Sequence, residues 1–288
     1  MAIALPAGAV ARGRVRLLSL PKTSPTLMNW VAVSLVLVIT VVALAVPLIS
    51  PHEPLVPAGM PLQAPGKGGF LLGTDAIGRD ILSRVLYGVR ASWFAALVVV
   101  AVGLFVGGLI GLIAGAAGGW LDSVLMRITD GFLSLPAPVL AIAVVAALGP
   151  GFVHTLIAVS IVWWPFYARL VRGEVARLAA RPHVEAARLG GVGPIRLATR
   201  HLLPGAVPNS LVAASLDIGT LILTLAALSF LGLGQAAPAP ELGADTARNL
   251  TYFLQQWWVP VMPGLAVLVL ALAANIAGDG LRNLMKTS

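Results

Sequence analysis

Few side chains in this 288-residue sequence could do chemistry, and their spacing narrows what that chemistry could be. Asp217 stands near the middle of a long apolar run, with no basic residue within a helical turn or two. A carboxylate at that depth is costly and points to a lined cavity or a partner group. It could line a passage and meet an amine, or sit hydrogen-bonded against a neighbouring helix. Asp122, Arg127 and Asp130 gather at the end of another apolar run. Arg127 and Asp130 are three apart and can pair on one helix face, which reads as a self-neutralising pair. The sequence has no cysteine, which excludes disulfides, thiolate nucleophiles and Cys-ligated zinc. His52, His154, His183 and His201 lie far apart and suggest no metal site. A phosphate-binding loop needs Gly-Lys-Ser/Thr after a glycine-rich turn, and Lys22, Lys67 and Lys286 have no such context. No nucleophile–base pair suggests an intramembrane enzyme. An ion-coupled secondary transporter would need relay carboxylates within spans and usually internal repeats. Asp217 alone is thin support for that class, and no repeat is visible.

The elements that must position these residues are membrane helices. Apolar residues make up 58% of the chain and charged residues 10%, against about a quarter charged in soluble domains. Six runs reach the ~20 apolar residues that a bilayer span needs: Trp30–Ile49, Ala91–Gly118, Leu121–Leu148, Phe152–Val171, Ala206–Leu233 and Val259–Gly278. The net charge of +8 does not imply nucleic acid, because most basic residues sit between apolar runs, where the positive-inside bias accounts for them. With the N-terminus inside, the cytoplasmic side holds Arg12, Arg14, Arg16, Lys22, Arg127, Arg169, Arg172, Arg177, Arg181, Arg188, Arg196, Arg200, Arg282 and Lys286. Lys67, Arg79, Arg84, Arg90 and Arg248 fall outside. The expected organisation is a cytoplasmic tail over 1–28, a first span over 29–50, an outer segment over 51–90, a five-span core over 91–281 with a cytoplasmic loop at 172–205, and a cytoplasmic tail over 282–288. The N-terminal basic residues precede a full-length span, unlike a cleaved signal peptide.

The outer segment opens with a proline-rich stretch and continues into Gly73-Thr74-Asp75, where Thr74 or Asp75 could cap a helix. Ile81, Leu82, Val85, Leu86 and Val89, with Arg79, Asp80, Ser83, Arg84 and Arg90 between and beside them, then predict a short amphipathic helix at the outer interface. In the second span, Gly103, Gly107, Gly111, Gly115 and Gly119 recur every four residues, the pattern of a close helix–helix contact. Trp163 and Trp164, beside Pro165, read as packing or lipid contact. Trp30, Trp120, Trp257 and Trp258 fit interfacial belts.

The segment from Arg169 to Pro204 carries seven arginines against Glu174 and Glu185, a net +5 with His neutral. Val184–Leu189 is a good short helix. Gly190-Gly191-Val192-Gly193-Pro194 breaks it, and a second amphipathic stretch from Ile195 to Leu203 is expected to end at Pro204.

Glu185-Ala186-Ala187, Gly191 and Leu203-Pro204 resemble the EAA signature of type I ABC importer permeases. Gly73-Thr74-Asp75, Gly78-Arg79-Asp80, Gly118-Gly119-Trp120-Leu121-Asp122, Tyr167-Ala168-Arg169, Leu228–Gly234 and Gly278–Arg282 look like the C-type permeases of dipeptide, oligopeptide and nickel importers. The resemblance spans roughly residues 27–283. It implies an all-α membrane protein of six transmembrane helices with both termini cytoplasmic, in the bacterial inner membrane. It implies partners: a B-type permease, two ATPase subunits and an extracytoplasmic substrate-binding protein. No cofactor belongs to this chain on that resemblance; ATP and Mg would sit on the ATPases. Glu185, Ala186 and Ala187 would set a coupling helix that docks on an ATPase, Gly191 would allow its turn, and Leu203-Pro204 would close the loop. Related systems carry dipeptides, oligopeptides, nickel chelates or haem; a peptide is the expectation. The chain departs from the pattern at Glu241-Leu242-Gly243, where relatives carry Trp-Gly, and in its closing Leu284–Ser288. Asp217 falls where a small residue is usual.

Overall fold

The computed structural model describes residues 25–287. Arg12, Arg14, Arg16 and Lys22, on which part of the orientation reading rests, lie outside the described residues, as do most of the 1–28 tail and Ser288. Ten α-helices follow one another among the described residues: α1 (Pro25–Ile49), α2 (Ile81–Ala117), α3 (Gly119–Leu133), α4 (Ala137–Leu148), α5 (Phe152–Ala179), α6 (Pro182–Leu189), α7 (Pro194–Leu197), α8 (Leu203–Phe230), α9 (Leu242–Arg248) and α10 (Trp258–Thr287). Five continuous helical stretches are long and apolar enough to cross a membrane, and the bent pair α3–α4 makes a sixth candidate.

Three elements differ from the sequence reading. First, the stretch Ile81–Val89 is not a separate interfacial helix; it forms the opening turns of α2, which runs 37 residues without a break. At 1.5 Å per residue α2 is about 55 Å long, well beyond the ~30 Å hydrocarbon core. Its cap is Asp80, not Thr74 or Asp75: the carboxylate accepts from the Leu82 and Ser83 N–H groups at 3.2 and 3.3 Å. Second, the expected span Leu121–Leu148 is two helices bent by 87° at Ser134-Leu135-Pro136. Pro136 has no N–H to continue the ladder and disfavours a helical Leu135. Third, Pro204 does not end the Ile195–Leu203 helix. A π turn over Ala198–Leu202 joins α7 to α8, with the Leu203 N–H donating to Ala198 O, so the ladder changes spacing instead of stopping.

The glycine stripe lies where α2 meets α5. An added methyl group would stand 3.1 Å from the Tyr167 ring at Gly103, 2.2 Å from Trp164 O at Gly107, 2.4 Å from Ala168 O at Gly111 and 2.8 Å from a Val175 methyl at Gly115. Gly119 belongs instead to the turn opening α3, at φ +59°. The main apolar core fills the space among α2, α5, α8 and α10, around Trp93, Tyr167, Leu221 and Ile222. A second, smaller cluster of Val175, Leu178, Val184, Leu197 and Leu202 holds the inner ends of α5 and α8 to α6 and α7.

Candidate functional site

The loop between α5 and α8 is a built projection. Arg181 is extended, and Pro182 opens α6 at a position where its missing N–H costs nothing. Glu185 lies in the first turn and Arg188 in the last, each favourable toward the helix dipole. Gly190 N–H donates to Ala186 O at 2.9 Å, Gly191 N–H to Arg188 O at 3.0 Å and Val192 N–H to Ala187 O at 3.1 Å, which closes the helix end. Gly191 holds φ at +80°, a left-handed value that a residue with a side chain adopts at a cost. Val184 is fully buried and anchors α6 in the second cluster, with Ala187 packed beside it. Glu185 and Ala186 point outward. Leu189 and Ile195 are 86% and 80% exposed on either side of the glycine turn. Leu203 and Pro204 sit at the start of α8 and carry the loop straight into that helix. The arrangement is a short helix fixed on one face and apolar on its free end.

The loop's approach is tied down by ion pairs that local spacing did not reveal. Asp130 pairs with Arg169 of α5, not with Arg127. Asp122 takes two bonds from Arg172, one from Nε at 2.9 Å and one from a terminal guanidinium N–H. Both partners come from α5, so packing between α3 and α5 overrides the three-residue spacing within α3. Arg177 pairs with Glu174 within α5.

Asp217 is half-buried and meets α5. Its Oδ2 accepts the Trp163 indole N–H and the Tyr167 hydroxyl, the latter at 3.0 Å. Trp163 is therefore a polar partner as well as a packing residue, while Trp164 stacks edge-on against Phe132.

The outer segment contains a polar core missed by the sequence reading. Arg84, 4% exposed, donates to Asp245 at 2.6 and 3.2 Å and to the Pro54 and Pro238 carbonyls at 2.9 and 3.2 Å. Arg79 pairs with Asp75 at 2.6 Å, and Arg248 with Asp245 at 3.3 Å. Glu241 caps α9 through the Gly243 and Ala244 N–H groups at 3.3 and 2.8 Å. Burial pushes its carboxyl above the usual range, opposed by those two N–H groups and the Ser229 hydroxyl, while nearby Asp245 raises it further. Arg84 and Asp245 lie 161 positions apart, so no local signal could pair them. Among the described residues no cluster of three His, Asp or Glu side chains could hold a metal.

A bundle of membrane-length helices bearing an anchored, outward-facing loop helix is the architecture of a multi-pass membrane protein, and the family match makes it a transport subunit. The chain belongs to the family of binding-protein-dependent transport system inner membrane components, whose sequence profile matches residues 107–286. It is 41% identical over 239 residues to the probable D,D-dipeptide transport system permease protein DdpC of Escherichia coli strain K12, covering 83% of this chain and 80% of that one. It is 42% identical over 253 residues to the di/tripeptide transport system permease protein DppC of Pseudomonas aeruginosa, covering 86% and 84%. With the glutathione transport system permease protein GsiD of Pectobacterium atrosepticum it shares 43% over 212 residues, covering 74% and 70%. In fold it is similar to the inward-facing MetNI methionine ABC transporter, with a TM-score of 0.58 at 21% identity over 72% of this chain and 98% of that chain. An amino acid ABC transporter matches with a TM-score of 0.56 at 16% identity, over 72% and 95%.

Proposed function

We propose that this chain is the C-type permease subunit of an ATP-driven importer of peptides in the bacterial inner membrane, with both termini cytoplasmic. It pairs with a B-type permease to form the translocation path. Two ATPase subunits hold ATP and Mg, and an extracytoplasmic binding protein delivers the substrate. The observation that carries this reading is the α6 projection: Glu185-Ala186-Ala187 on a helix anchored by Val184, a left-handed Gly191, and exposed Leu189 and Ile195 at its tip. Such a surface suits a hydrophobic cleft on a partner. Closure of the ATPases pushes α6. The second apolar cluster passes that push to α5 and α8, which bracket the loop, and the two permease subunits rock between inward- and outward-open states. The names of the relatives, which are dipeptide, di/tripeptide and glutathione permeases, favour a peptide as cargo.

The test is uptake into liposomes that hold this chain, its partner permease and the ATPases, with binding protein outside and ATP inside. Labelled dipeptide should enter only with ATP and ATPases both present. Uptake driven by a proton gradient without ATPases would overturn the reading.

A further inference from the structure

Asp217 lies midway along α8, with Oδ2 committed to the Trp163 and Tyr167 donors of α5. Oδ1 takes no hydrogen bond from the described residues, yet it is not sealed in. The enclosed, unpaired side-chain polar atoms there are Gln63 Oε1, Gln256 Oε1 and Trp258 Nε1, all away from α8. The ion pairs of the described residues also lie elsewhere, so no cation among the described residues answers Asp217. An open carboxylate oxygen at mid-membrane depth is too costly against hydrocarbon; it needs water or a polar partner.

The same side of α8 supplies a setting. Asn209, Ala213, Asp217, Thr220, Thr224 and Ala227 follow at three- and four-residue steps, which places them along one face. Asn209, Thr220 and Ala227 are exposed and the rest part-buried. Elsewhere on the helix, Val207 and Leu211 are exposed and apolar, suited to lipid.

We infer that Asp217 is a cation-recognition point on the translocation path, set to receive the side-chain ammonium of a passing basic peptide. This rests on the peptide-importer reading above. Trp163 and Tyr167 fix the carboxylate in one orientation, which leaves Oδ1 for one charge-assisted bond. A single contact of that kind holds the substrate weakly enough to release it, as passage requires. Contact with an ammonium makes turnover depend on substrate charge; a purely structural clasp between α8 and α5 would not.

Two measurements on the complete reconstituted complex test this. The chain has no cysteine, so single-cysteine variants start from a clean background. Asp217→Cys and Thr220→Cys should react with a membrane-impermeant cationic thiosulfonate about ten-fold or more faster than Leu211→Cys. Equal rates would overturn the placement, and this arm needs no substrate. In the second arm, uptake of Lys-Ala, Ala-Ala and Glu-Ala dipeptides is compared between wild type and Asp217→Asn, a near-isosteric change that keeps an acceptor for the α5 donors. Turnover should fall about ten-fold for Lys-Ala and distinctly less for Glu-Ala, with binding-protein-stimulated ATP hydrolysis retained. Equal loss on all three substrates, or no loss, overturns the proposal. A wild type that imports none of them refutes the peptide reading and with it the ammonium as ligand; the labelling arm then still reports whether Asp217 faces the path.

Discussion

Removing the Arg84 side chain should loosen the whole outer segment. Arg84 is buried and bonds four acceptors: both oxygens of Asp245, at 2.6 and 3.2 Å, and the carbonyls of Pro54 and Pro238. It thereby joins the proline-rich loop, the start of α2 and the loop leading to α9. Breaking a buried pair by deleting one partner costs about 3–5 kcal/mol, because the remaining charge stays desolvated and unanswered. Here Arg248 still reaches Asp245 at 3.3 Å from a site 32% exposed, so the lower part of that range, roughly 3 kcal/mol, applies to Arg84→Ala. Asp245→Ala strands Arg84 instead and should cost a similar amount. The double variant removes both charges, and its cost should fall well short of the sum, with a coupling of about 2 kcal/mol. The assay is thermal or denaturant unfolding of the purified subunit in detergent, run as a double-mutant cycle. Additive effects of less than about 1 kcal/mol each, the level of an exposed pair, would refute the claim that this core is desolvated and shared.

Other perturbations follow from the same geometry. Gly191→Pro cannot keep φ at +80° and loses the N–H donated to Arg188 O; membrane insertion should be normal, while ATP hydrolysis continues without uptake, measured in the reconstituted complex. Gly107→Leu drives a side chain into Trp164 O and should destabilise the α2–α5 contact by about 1–3 kcal/mol, whereas Gly108→Ala, whose added carbon meets nothing closer than 3.9 Å, should be tolerated in the same melting assay. Glu241 has its folded-state carboxyl raised by burial, so the folded state holds the proton more tightly than the unfolded state. Stability from this group is therefore present at low pH and lost as pH rises from the ordinary Glu range through the raised value. Glu241→Gln, which keeps one acceptor for the α9 N–H groups, should flatten that decline in melting temperature against pH.

The sequence was most readable where one physical signal dominated. The runs giving α1, α5 and α10 are apolar over a full bilayer thickness, so their length alone located them. The Gly191 turn was legible because three glycines and a proline within five residues follow one short helical run. It was less readable where two signals competed. Pro136 marks the break between α3 and α4, but the apolar run across it looks like one span. Pro204 reads as a stop, yet a π turn absorbs the missing N–H. Arg84 and Ser83 read as the polar face of a surface helix; both are buried, because Asp80, Asp245 and the Pro54 carbonyl satisfy them. Partners far apart in sequence, Asp130 with Arg169 and Asp217 with Trp163 and Tyr167, depend on how helices pack and leave no trace in local spacing.

The docking of α6 on an ATPase can be measured directly. Leu189 is exposed at the tip of α6, and Leu189→Cys is the sole thiol in the chain. In the assembled complex a short thiol-to-amine cross-linker on this residue should join the permease to an ATPase subunit, with a yield that changes between nucleotide-free and ATP-bound states. A cysteine there that stays freely reactive and never cross-links to an ATPase in either state would contradict the account.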